Sequence, residues 1–79
     1  MEILRKLFGL RPRSLFVISF TNGQRVERHA QPGHRYTVQI IGEEYLVTEV
    51  DQNGDVFASA RYVMYNVNGY SLDNKGFRK

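Results

Sequence analysis

The chain has 79 residues, a formal net charge of +3 and no cysteine, which indicates one small domain without disulfide bonds or a thiolate metal site. No apolar run approaches the ~20 residues that a membrane-spanning helix needs, and residues 1–14 lack the small-residue cleavage site of a signal peptide. We therefore expect a single domain over residues 1–79, located in the cytoplasm, with neither a cofactor nor a bound metal.

Residues 1–12 have the pattern of a short amphipathic helix that ends at Pro12. About ten residues are too few to keep a helix stable in water unaided. The segment must therefore dock on its own sheet, on a partner protein or peripherally on a membrane surface. The apolar residues expected to make this contact are Ile3, Leu4, Leu7 and Phe8.

Residues 14–72 alternate apolar and polar side chains between turn signals, which predicts an antiparallel β meander. Three Asn-Gly pairs, at residues 22, 53 and 68, are hairpin signals because Asn and Gly tolerate positive φ. The predicted strands cover residues 14–20, 24–30, 35–41, 44–50, 55 to about 67, and 70–72, and residues 73–79 form a tail. The fifth strand is too long to run straight, so a bulge or a 3₁₀ turn should interrupt it.

The stretch DQNGD at residues 51–55 matches the start of a calcium-binding EF-hand loop, with acids at its first and fifth positions. The match fails at the sixth position, where Val56 stands instead of Gly, and at the twelfth, where Tyr62 stands instead of Glu. We instead expect a type I turn whose Asp51 carboxylate accepts backbone N–H groups, with Gly54 in the left-handed position of a G1 bulge.

The turns also predict which strand faces are apolar. The bulged turn would pair Leu46 with Ala60, and a two-residue turn at Gly42 would set Tyr45 beside Ile40. Strand 44–50 then has apolar residues on both faces, which is typical of a central strand. We expect residues 1–12 to cover its second face.

These features predict a mainly β fold of five or six strands with one short N-terminal helix. The sheet should be small, antiparallel and strongly bent, or should form a partly open barrel. Its tight hairpins and the expected turn before the last strand are similar to SH3-like barrels over residues 14–67. A likeness at the level of fold implies little about function.

Glu27, His29 and His34 are residue types that bind metals, and with Arg35 they match the acid, base and cation of a small ribonuclease. Residue types without geometry are weak evidence of a site. No further strong ligand stands nearby in the sequence. Surface histidines are therefore the favoured interpretation, and we expect no enzyme activity.

Two classes of function fit the sequence. The favoured class is a non-enzymatic module that binds a protein partner or self-associates through an exposed strand edge or through residues 1–12. The alternative is a binder of single-stranded nucleic acid, in which exposed tyrosines stack on bases beside arginines. Up to residue 42, seven Arg and Lys stand against two Glu, a balance found on solvated surfaces and on surfaces for acidic partners. The candidate binding residues are Arg25, Arg28, His29, Arg35, Arg61, Tyr62, Tyr65 and Tyr70.

Overall fold

The computed structural model describes residues 13–74, which form two antiparallel sheets of three strands each. The strands are β1 (Leu15–Phe20), β2 (Arg25–His29), β3 (Arg35–Ile41), β4 (Glu44–Val50), β5 (Val56–Val63) and β6 (Val67–Asp73). A 3₁₀ turn at Met64–Asn66 separates β5 from β6 and is the expected interruption of the long fifth segment. The prediction of a mainly β fold is confirmed. The predicted helix at residues 1–12 lies outside the described residues.

The two sheets have the strand orders β2-β1-β6 (sheet A) and β3-β4-β5 (sheet B). The predicted meander holds in the β1–β2 hairpin and from β3 to β5, but β2 does not pair with β3. β6 also departs from it, because it pairs with β1 at the other end of the chain. The reason is the 3₁₀ turn, which ends β5 and takes the chain across to sheet A. The sheets of residues 13–74 do not close into a barrel, and the likeness to SH3-like barrels stays a prediction.

Two of the hairpins have the predicted register. Ile18 pairs with Val26 between β1 and β2, and Tyr45 pairs with Ile40 between β4 and β3. Gly42 opens the β3–β4 turn with φ of 60°, a left-handed conformation that glycine adopts without steric cost. The prediction that β4 is a central strand is also confirmed.

The β4–β5 turn has the predicted G1-bulge form. Gly54 N–H donates to the Asp51 carbonyl over 3.1 Å, and Asp51 N–H donates to the Asp55 carbonyl over 3.0 Å. The Asp51 carboxylate accepts the backbone N–H groups of Asn53 and Asp55 at 2.9 and 3.0 Å. The acid that suggested a calcium ligand therefore holds its own turn together.

A second bulge, at Phe57, shifts the β4–β5 register by one residue. Leu46 consequently lies opposite Arg61, and its predicted pairing with Ala60 is wrong. The extra residue puts Ala58 and Ala60 on the core side of β5, where they line a shallow depression between the sheets. Alanine is small enough for either face of a strand, so the residue pattern carried no sign of this shift.

The Asn68-Gly69 pair is not a turn, which corrects the prediction of a separate short strand at residues 70–72. The pair lies inside β6, where Ser19 pairs with Gly69 but Phe20 pairs two residues earlier along β6. Asn68 is therefore the extra residue of a bulge. Asn-Gly can mark a bulge as well as a hairpin because both need a locally irregular backbone.

The core lies between the two sheets and is built around the ring of Phe16, which is fully buried. Tyr36 and Tyr62 of sheet B lie 6.0 and 6.4 Å from this ring, measured between ring centroids, and Tyr70 of sheet A lies at 5.8 Å. The buried hydrophobic residues of this cluster are Phe16, Ile18, Ala30, Tyr36 and Val47. Burying a side chain such as Phe16 contributes about 1.5–3 kcal/mol to folding.

The side-chain amide of Asn74 joins the two sheets at the end of β6. Tyr36 N–H donates to Asn74 Oδ1 over 2.9 Å, and Asn74 Nδ2 donates to the Tyr36 carbonyl over 3.1 Å. Tyr36 lies on β3, an outer strand of sheet B, so the amide supplies the two hydrogen bonds that a neighbouring strand would otherwise make.

Replacing Asn74 with Ala should lower the free energy of unfolding by about 1–3 kcal/mol, because it leaves two partly buried backbone groups of Tyr36 without their partner. Urea and thermal denaturation measure the change. Asn66→Ala is the matched control, since the Asn66 side chain is exposed and makes no hydrogen bond within residues 13–74. Equal losses in the two variants would contradict the role given to Asn74.

Candidate functional site

The outer strand β5 is the least protected edge of the two sheets. Edge strands present unpaired N–H and C=O groups, and proteins usually blunt them with charges, short length or a covering group. β2 is short and highly charged, with the sequence RVERH, β3 is bridged by the Asn74 amide, and β6 is interrupted by the bulge at Asn68. β5 has eight residues, VFASARYV, of which Arg61 alone is charged.

Large apolar side chains are exposed along β5 and just beyond it. Val56 and Phe57 at its start have 66% and 57% of their surface exposed, and Val63 at its end has 45%. Tyr65 in the 3₁₀ turn is 88% exposed. Several large apolar side chains exposed on one strand of a small domain suit an interaction site.

A cleft of about 340 Å³ opens beside the C-terminal half of β5, next to the β1–β2 turn. The rings of Phe20 and Tyr62, 5.8 Å apart between centroids, form its aromatic wall. Polar groups of Asn22, Gln24 and Arg61 line the rest. Apolar walls with a few polar groups are the usual composition of a pocket that holds a side chain or a small ligand.

At Tyr62 the cleft adjoins a seam between β2 and β5, which are outer strands of different sheets. Arg28 Nε donates a hydrogen bond to the Tyr62 hydroxyl over 3.1 Å and so connects the two strands through side chains. No backbone pairing joins β2 to β5 in the described chain. Six of the eight residues of β5 are also exposed, so its unpaired edge is open to solvent.

The eight predicted binding residues do not form one surface. Arg28 and Tyr62 meet at the seam, and Arg61 lines the adjoining cleft. Arg25 and His29 lie on the opposite face of β2, because they alternate with Arg28 along the strand. Arg25 lies 2.9 Å from the Glu27 carboxylate and His29 lies 3.6 Å from it. Glu27 therefore balances the charge of Arg25, one of the four arginines expected to bind nucleic acid.

The other predicted residues are also dispersed. Tyr70 packs against Tyr45, with ring centroids 5.3 Å apart, and against the core. Arg35 opens β3 at the end of sheet B opposite to Arg61 and is half-buried. Tyr65 is the one predicted tyrosine whose ring is almost wholly exposed among the residues that the structure describes.

The sequence did not predict the pair formed by His34 and Glu49. His34 Nδ1 lies 2.8 Å from Glu49 Oε2, and the same oxygen accepts the Gln31 N–H over 2.9 Å. Both side chains are largely buried, and the His34 ring contacts Phe57 edge-on at 4.9 Å. A glutamate on the same strand face as Val47 is the signal that could have revealed this pair, since a buried acid needs a partner.

The residues predicted to form a metal or ribonuclease site lie in two separate places. His34 turns to Glu49, whereas His29 stays beside Glu27 on β2. Within residues 13–74 no group of three or more His, Cys, Asp or Glu side chains is arranged to hold a metal ion.

Comparisons with protein-family models, with curated proteins and with solved structures found no match to this chain. The stretch from residue 13 to residue 74 contains no helix with the length and hydropathy to cross a membrane. The case for a function therefore depends on the geometry of β5 and its surroundings.

The seam also perturbs one ionisable group. Burial raises the pKa of the Tyr36 hydroxyl above its usual 10.0, the nearby Glu49 carboxylate raises it further, and Arg28 opposes the rise. A raised pKa means that the folded protein favours the neutral phenol. The stability that depends on the neutral Tyr36 phenol is fully present below pH 10.0. It is lost as the pH rises beyond that value, because Tyr36 ionises first in the unfolded chain.

We expect the free energy of unfolding to fall as the pH rises above 10.0 and to fall less steeply in Tyr36→Phe, which has no phenol to ionise. Urea denaturation at neutral pH and at several alkaline pH values provides the measurement. Tyr65→Phe is the control, because that hydroxyl is exposed. If the Tyr36 and Tyr65 variants show the same pH dependence, the environment assigned to Tyr36 is wrong.

Proposed function

We propose that this protein is a non-enzymatic interaction module that binds an extended segment of a partner protein along the edge of β5. The observation that carries the proposal is the combination of an unpaired outer strand, exposed apolar side chains and a single charge over eight residues. In this mode of recognition, main-chain hydrogen bonds provide affinity and alternate side chains provide specificity.

The geometry of β5 suits an added strand. Every second residue of an antiparallel strand directs its N–H and C=O away from its existing neighbour, here β4. The exposed side chain of Val63 offers an apolar contact at the C-terminal end of the edge. The cleft beside Tyr62 would accept an apolar or aromatic side chain of the bound segment.

The same proposal includes the architecture expected from the sequence, a single domain built as a partly open SH3-like barrel. Its support is the 3₁₀ turn before the last strand and the pairing of β6 with β1, which brings the two ends of the chain into one sheet. The open side of that barrel would be the seam between β2 and β5.

A random-peptide display library with the whole protein as bait tests the proposal. We expect the selected peptides to perturb the NMR signals of backbone amides in β5, and Val63→Lys to weaken their binding about tenfold, equivalent to about 1.4 kcal/mol, by placing a charge in an apolar contact. Gln39→Lys is the matched control, because it adds the same charge at an exposed position of β3. Peptides that bind away from β5, or equal effects of the two lysines, would overturn the proposal.

The same exposed edge of β5 would also allow two copies of the chain to associate. Light scattering over a range of protein concentrations distinguishes it from binding of a different protein. A dimer that Val63→Lys dissociates, and Gln39→Lys does not, would identify a second copy of the chain as the partner.

Nucleic-acid binding is the second candidate function, and the observation in its favour is the exposed Tyr65 ring, in the turn that follows the strand carrying Arg61 and Tyr62. It ranks second because Arg61 already lies 3.2 Å from the Glu44 carboxylate.

We expect a labelled single-stranded oligonucleotide to show no binding in fluorescence anisotropy at moderate salt. Binding that weakens steeply as salt increases, and that Tyr65→Ala abolishes, would favour this second function over the first.

A further inference from the structure

The described chain begins beside the N-terminal end of β5. Ser14 is fully buried, its Oγ donates to the His34 carbonyl over 2.9 Å, and its own carbonyl accepts the Ala30 N–H over 3.0 Å. The His34 ring in turn contacts Phe57 at 4.9 Å. Residues 1–12 therefore join the domain close to Phe57.

This end of β5 carries the largest apolar exposure of the strand. Val56 and Phe57 are adjacent in the sequence, and both are more than half exposed. The bulge at Phe57 turns its ring towards His34 instead of into the core between the sheets. An exposed pair of this kind on an unprotected edge needs a cover or a partner.

The charges near this apolar pair complement those of residues 1–12. The turn at residues 51–55 contains two acids, Asp51 and Asp55, and no basic residue. Residues 1–12 contain three basic residues and one acid; the basic residues are Arg5, Lys6 and Arg11. The two segments therefore attract each other electrostatically, although salt screens such contacts at the surface.

We propose that residues 1–12 fold back over the Val56–Phe57 end of β5. The apolar side chains of Ile3, Leu4, Leu7 and Phe8 would contact Val56 and Phe57, and the basic residues would face Asp51 and Asp55. Twelve residues span about 18 Å as a helix and about 40 Å when extended, so the segment reaches this surface in either form. The sequence predicted that residues 1–12 cover β4, and here they would cover the start of β5 instead. This contact does not depend on the proposed binding of a partner protein.

A tryptophan reporter in the whole protein tests this contact, because the natural chain contains no tryptophan. In Phe57→Trp we expect an emission maximum at short wavelength and weak quenching by acrylamide. Adding Leu7→Asp and Phe8→Asp should move the emission to longer wavelength and increase the quenching. Tyr65→Trp is the matched control at the other end of β5, and the same aspartates should leave its emission unchanged.

Far-UV circular dichroism of the same variants shows whether the aspartate substitutions unfold the domain. In that event, Leu7→Ser with Phe8→Ser repeats the measurement with a milder change. Emission from Phe57→Trp that is typical of exposed tryptophan and insensitive to residues 7 and 8 overturns the proposal. Emission that shifts on dilution also overturns it and identifies a second copy of the chain as the cover.

Discussion

The fold depends on the contact that the Phe16 ring makes between the two sheets. The ring is fully buried and touches Tyr36 and Tyr62 of sheet B and Tyr70 of sheet A. A chain of this length buries only about 60–65% of the surface that its unfolded form exposes, so a few such contacts provide much of its stability. The central position of Phe16 on β1 allows one aromatic side chain to organise strands from both ends of the sequence.

Two separate sheets leave four outer strands, and these strands differ in how well their edges are protected. β2 is charged, β3 is bridged by the Asn74 amide, and β6 is irregular because of the bulge at Asn68. β5 keeps a long, apolar and nearly uncharged edge. The proposed partner segment and the proposed cover by residues 1–12 both follow from this unequal protection, the first along the strand and the second at its N-terminal end.

Much of the local structure could be predicted because turn chemistry acts over a few residues. The two-residue turn at Gly42 and the bulged turn at Gly54 set strand limits and registers that the structure reproduces near each turn. The bulge at Phe57 could not be predicted, since the alanines after it fit either strand face. The partner of Glu49 also escaped prediction, because His34 is distant in sequence and reaches it through the β2–β3 turn.

The sequence by itself determined the class of fold, the limits of the first four strands and the tight turns between them, since these follow from residue alternation and from the φ preferences of Asn and Gly. The tertiary structure alone decided that β6 pairs with β1, that the predicted arginines and tyrosines are dispersed, and that β5 is left as an open edge. The physical reason is that strand pairing and surface grouping depend on contacts between residues far apart in the chain. Local patterns contain no information about which of those contacts form.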